Sequence, residues 1–127
     1  MSKLVKLYQY CGKFIKMKKF YKIISFTYLI ILSIALLMPI NIISDKGQPS
    51  NNTSFIIHLI LFFILYLLFY FSFTNKYKFL LFCMMYSVLA EILQIFTSRD
   101  FQIFDIMFNL IGVLTSFLFC LIFFKRQ

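Results

Sequence analysis

The chain has 127 residues, 62% of them hydrophobic and 21% aromatic, with a mean hydropathy of +0.91. An apolar content this far above that of a globular domain excludes a soluble fold and points to an integral membrane protein of a single domain. The net charge of +9, from 13 Lys and Arg against 4 Asp and Glu, would raise nucleic acid as a partner in a soluble protein; in a membrane chain, topology and anionic lipid account for it and no nucleic acid is expected.

Residues 1–22 carry seven lysines, Lys3, Lys6, Lys13, Lys16, Lys18, Lys19 and Lys22. Leu4, Leu7, Tyr8, Cys11, Phe14 and Ile15 recur at helical spacing, with Lys3, Lys6, Lys13 and Lys16 opposite them. The pattern predicts a basic amphipathic helix on the membrane surface, or a basic flank that only sets orientation; either way anionic lipid is its partner. Residues 1–20 are read as this cytoplasmic or interfacial flank and residues 21–127 as the membrane domain.

Four spanning helices are expected in that domain. Residues 21–43 form the first, long enough for a hydrocarbon core of roughly 30 Å and too long for a signal-peptide core. Pro39 near its far end should kink or end it. Residues 44–53, with Asp45, Gly47, Pro49, Asn51 and Asn52, read as a polar loop. Residues 54–73 form the second span and contain His58, the single histidine. Lys76 and Lys78 are expected in the turn that follows, residues 79–96 in the third span, residues 97–101 in a tight loop carrying Arg99, and residues 102–124 in the fourth span. Cys83 and Cys120 fall inside apolar runs and read as small hydrophobes; with Cys11 they make no metal-ligand spacing and no disulfide is expected.

Orientation follows from the lysines and arginines. Seven in the N-terminal flank, Lys76, Lys78, Lys125 and Arg126 make eleven on one side, against Lys46 and Arg99 on the other. This predicts a multi-pass protein of the bacterial cytoplasmic membrane with both termini cytoplasmic and the loops at 44–53 and 97–101 outside.

The chemistry-bearing residues concentrate in 91–112, which hold three of the four acidic residues. At 100° per residue, Ser87, Glu91, Gln94 and Ser98 fall within about 60° of arc on the third span, and so do Asp105, Asn109, Gly112 and Ser116 on the fourth. Lipid expels such stripes, so they should face each other or a shared cavity. Counting from the helix ends puts His58, Glu91, Gln94, Asp105 and Asn109 in one layer near the outer side, with Arg99 above them. Gly112 and Ser116 suit close helix packing.

The run Glu91-x-x-Gln94-x-Phe96, then Arg99, Asp105, Asn109 and Gly112, resembles the signature of the VanZ-like family, and His58 matches the histidine that family carries on its second span. The resemblance covers roughly residues 24–124. This chain departs from the family pattern in having Ser54 and Phe55 where members often have Asp-Lys, and Ser116 where they often have a second glycine. The family's namesake is a small membrane protein associated with resistance to the glycopeptide teicoplanin, so the resemblance implies a role at the outer face of a bacterial membrane.

Three functions are expected in descending order. The first is a non-enzymatic binding module in which His58, Glu91, Gln94, Arg99, Asp105 and Asn109 hold a lipid-linked cell-wall head group or act on a glycopeptide; Arg suits phosphate or carboxylate. The second is a membrane-embedded enzyme with His58 as general base, Glu91 as acid or base and Asp105 as orienter. It ranks lower because Ser54 and Ser98 are the nearest nucleophile candidates and neither fits the layer convincingly, and neither a cofactor nor a metal is expected, since no H-x-x-x-H spacing is present. The third is a structural subunit whose stripes only pack. Four short spans without a repeat argue against transport by one copy, and the oligomeric state is open.

Overall fold

The computed structural model describes residues 3–38, 51–97 and 102–124, with side chains described from residue 16 in the first segment and from residue 54 in the second. Four helices follow in chain order: α1 Lys3–Leu37, α2 Asn51–Ser72, α3 Lys76–Gln94 and α4 Ile103–Phe123, with a 3-10 turn, Ile95–Thr97, closing α3. Each contains a stretch long and apolar enough to cross a membrane: Lys16–Leu37, Ser54–Ser72, Lys76–Thr97 and Ile103–Phe123. The protein is an all-α, four-helix membrane protein, and its described residues form no strand.

The element boundaries depart from expectation in four places, one being that α1 ends at Leu37, six residues before the expected end of the first span at 43. α1 continues unbroken across residues 20 and 21, so the lysine-rich segment and the first span are one helix of 35 residues, about 52 Å at 1.5 Å per residue. No proline lies between Lys3 and Leu37 to interrupt it. α2 starts at Asn51, so the last residues of the expected loop at 44–53 are helical. Lys76 and Lys78 belong to the first turn of α3, because Asn75 caps that helix by accepting a 3.1 Å hydrogen bond from the Lys78 backbone N–H. The side chains of the expected amphipathic face before residue 16, Pro39, the rest of the 44–53 loop, Ser98 and Arg99 lie outside the described residues.

α2 is the helix around which the others pack, most extensively against α4, then α1 and α3. Its sequence is apolar on every side: one side packs on the other helices, while Ile56, Ile57 and Ile60 on the remaining side are exposed. Phe62, Leu65, Tyr66 and Phe69 of α2 are fully or almost fully buried, together with Leu32 and Leu36 of α1, Cys83 and Ala90 of α3, and Val113 and Cys120 of α4. The other three helices expose apolar side chains as well, for example Ile23, Phe26, Ile30 and Ile34 on α1 and Leu81, Met85 and Leu89 on α3. Such faces are what lipid covers.

Hydroxyl groups stitch α1 to the rest. Ser25 and Ser72 share a 2.5 Å hydrogen bond, Tyr28 donates to the Leu61 carbonyl at 2.9 Å, and Ser33 meets the Tyr86 hydroxyl at 2.7 Å. At the turn between α2 and α3, Phe73 and Phe79 stack with centroids 4.0 Å apart. At Gly112 the α4 backbone comes close to α2. A Cβ built there runs into the Leu59 carbonyl oxygen of α2, so glycine at this position brings α4 onto α2, not onto α3 as the pairing of the two polar stripes implied. The stripes do face each other, and α2 fills the third side.

Candidate functional site: a buried His, Asn, Glu and Asp centre

α2, α3 and α4 each contribute one turn to a common polar centre where α3 ends and α4 begins. His58 lies two turns into α2, Glu91 one turn before the end of α3, and Asp105 and Asn109 in the first two turns of α4. Helical periodicity fixes why these side chains meet. Glu91 shares its face with Ser87 and Gln94, all buried, and Asp105 shares its face with Asn109, Gly112 and Ser116, likewise buried. Glu91 and Asn109 are 0% exposed, His58 4% and Asp105 6%.

The hydrogen bonds run in a chain. The Asn109 side-chain nitrogen donates to Glu91 Oε1 at 3.0 Å, and Asn109 Oδ1 faces His58 Nδ1 at 3.0 Å. His58 Nδ1 is also 3.6 Å from Glu91 Oε1, and on the other side of the ring Nε2 is 3.7 Å from Asp105 Oδ2. The imidazole therefore stands between two carboxylates, with the Asn109 amide oxygen at its Nδ1. Among the described residues, Asp105 Oδ1 and the Gln94 side-chain nitrogen are buried without a hydrogen-bond partner.

Of the residues read as a site from sequence, His58, Glu91, Asp105 and Asn109 are brought together. Gln94 is buried on the same face of α3, 2% exposed, without a described bond to the other four. Arg99 lies outside the described residues. Gly112 and Ser116 are buried further along the α4 face. One property was invisible in linear spacing. Side-chain nitrogen and oxygen atoms of His58, Glu91 and Asp105 lie within 4.8 Å of one another. The three residues come from three helices, 33 and 14 positions apart in sequence (91 minus 58, and 105 minus 91), so the sequence placed them in one layer without showing how close their atoms come.

Sequence reasoning also missed an aromatic clamp beside the centre. Phe55 stacks on Phe108 with centroids 5.0 Å apart and planes at 4°, and meets Phe104 at 6.1 Å. These rings tie the first turns of α2 and α4 together one turn from His58 and Asp105.

Four helices long and apolar enough to cross a membrane, with buried polar side chains where three of them meet, are the features of a small multi-pass membrane protein. The chain belongs to the VanZ/LLP1 family, whose model matches residues 6–124, nearly the whole length. No curated protein and no solved structure matches it.

Proposed function

We propose that this VanZ-like envelope protein receives the polar head group of a lipid-linked envelope molecule at its His58, Asn109, Glu91 and Asp105 centre, and through it alters susceptibility to teicoplanin-type glycopeptides. The observation that carries this reading is the buried hydrogen-bonded chain from His58 through Asn109 to Glu91. Ionisable groups inside a membrane bundle are expensive and mark sites that handle polar ligands. An apolar groove of about 660 Å³ supports a lipid-borne ligand. It is lined by Phe82, Met85, Val88, Leu89, Ile92 and Leu110, and Ile92 and Leu110 each adjoin a residue of the centre. Arg99, two positions beyond Thr97, supplies a guanidinium suited to phosphate or carboxylate.

A second reading is favoured by one observation, the imidazole flanked on both ring nitrogens by carboxylates. That is a workable arrangement for moving a proton to or from a bound lipid head group. Both readings predict the same first result. His58→Gln, Glu91→Gln and Asp105→Asn keep volume and hydrogen-bonding capacity but remove charge and proton exchange. Each variant should reach the membrane at wild-type abundance while losing the wild-type effect on teicoplanin susceptibility. Retention of that effect by all three variants would reduce the centre to an interhelical clamp, in which neutral amides serve at about 0.6 kcal/mol per bond.

A further inference from the structure

We propose that the part of the head group that enters the centre is a hydroxyl, held between the Gln94 side-chain amide and the Asp105 carboxylate. The inference rests on the head-group reading and names the chemistry of its ligand: an alcohol or a sugar, not a bare phosphate. The bond from Asn109 to Glu91 Oε1, 3.0 Å long, fixes the level of α3 against α4. Gln94 lies three residues after Glu91, about 4.5 Å along α3, and Asp105 lies four residues before Asn109, about 6 Å along α4. The short connection makes these helices antiparallel, so both steps run toward the end where α3 stops and α4 starts. Gln94 and Asp105 therefore share the next layer out, on the buried faces that hold Glu91 and Asn109.

The hydrogen bonding of this layer is incomplete. The Gln94 nitrogen is a donor and Asp105 Oδ1 an acceptor; both are buried, and neither has a partner among the described residues. His58 adds a second acceptor. Asn109 turns its NH2 toward Glu91 and so presents its carbonyl oxygen to His58 Nδ1, which must carry the proton. In that neutral tautomer Nε2 has a lone pair, and it faces Asp105 Oδ2 at 3.7 Å, beyond hydrogen-bond reach.

Buried polar groups find partners, so the open donor and acceptors select what enters. A phosphate oxygen accepts from Gln94 but meets the Asp105 carboxylate as a like charge. An ammonium donates to Asp105 and leaves the Gln94 N–H unanswered. A hydroxyl does both: it donates to Asp105 and accepts from Gln94. A second hydroxyl on the next carbon, as in glycerol or a sugar ring, supplies a donor for His58 Nε2. This layer is the outermost of the described centre, beside the exposed Ile95, Gln102 and Ile103.

The test uses the full chain, stripped of lipid in detergent and incubated with equal amounts of four lipids of identical acyl chains: phosphatidic acid, phosphatidylethanolamine, phosphatidylglycerol and monoglucosyldiacylglycerol. Lipid retained through gel filtration is quantified by mass spectrometry. At least one of the two hydroxyl-bearing lipids should exceed phosphatidic acid and phosphatidylethanolamine about tenfold, and which one does so tells glycerol from sugar. Gln94→Leu and Asp105→Ala should each lower that retention about tenfold. Thr115→Ala, whose hydroxyl bonds its own helix backbone, should retain lipid as wild type. A Gln94→Leu protein that elutes as wild type and keeps its lipid overturns the proposal, as does equal retention of all four lipids or of none. Preference for phosphatidic acid overturns the hydroxyl assignment and leaves the head-group reading in place. Preference for a hydroxyl-bearing lipid, lost in Gln94→Leu while teicoplanin susceptibility stays as in wild type, supports this inference and sinks the link to glycopeptides.

Discussion

Gly112 shows how much a single residue decides. It is one of three glycines in the chain, and the only room beside it is taken by the α2 backbone at Leu59. Even Gly112→Ala puts a carbon against that carbonyl, which belongs to a helix and cannot swing aside as a side chain would. Overpacking of this kind costs about 1–3 kcal/mol. Gly112→Ala should lower the thermal unfolding temperature in detergent and Gly112→Leu should lower it further, with reduced membrane abundance. Thr115→Ala, on the exposed face of the same helix, should change neither. An unaltered melting temperature for Gly112→Leu would show that α4 does not rest on α2 at this point.

Among the elements, α1 stands out because none of its described charged side chains is buried. Of its described side chains, Ser25, Leu32 and Leu36 are buried. Its apolar contacts with α2 are supplemented by hydroxyl hydrogen bonds to α2 and α3. The Ser33 and Tyr86 pair, at 2.7 Å, joins α1 directly to α3. Ser33→Ala and Tyr86→Phe should each destabilise the bundle, and the double variant by less than the sum, with a coupling of about 0.6 kcal/mol. Strict additivity in denaturant unfolding would show that the two helices do not meet there. α1 is also the helix whose N-terminal turns extend beyond a 30 Å hydrocarbon core. Its lysine-rich end is thus a continuation of the span and rides with it.

At the scale of the molecule, the lysine and arginine count makes a prediction that the fold does not. Eleven basic residues against two call for α2 and α3 to be joined on the cytoplasmic side and the polar centre to lie toward the outside. Cysteine labelling checks this. Cys83 and Cys120 are fully buried, so an impermeant thiol reagent passes them by, and only Cys11 needs replacing. A cysteine at Gln102, exposed just before α4, should react in intact cells. One at Asn75, exposed between α2 and α3, should react only after the membrane is opened. The reverse pattern would invert the topology and move the centre to the inner leaflet.

The four helices and their polar faces were legible in the sequence for a physical reason: hydropathy and the 100° repeat are local properties that every residue carries with it. The stripes of Glu91 with Gln94 and of Asp105 with Asn109 are such local facts, and so is the intramembrane position of His58. Helix ends were read less well, since a cap such as Asn75 shifts a boundary by a turn and a long helix such as α1 ignores a change in composition. What lay outside the sequence was distance between helices. Only tertiary packing decides that α2, not α3, receives Gly112, that Phe55 closes on Phe108, and that Asn109 bridges His58 to Glu91. It also sets the 3.7 Å gap between His58 and Asp105, because rotation and depth of three separate helices combine there, and no spacing along one chain segment encodes them.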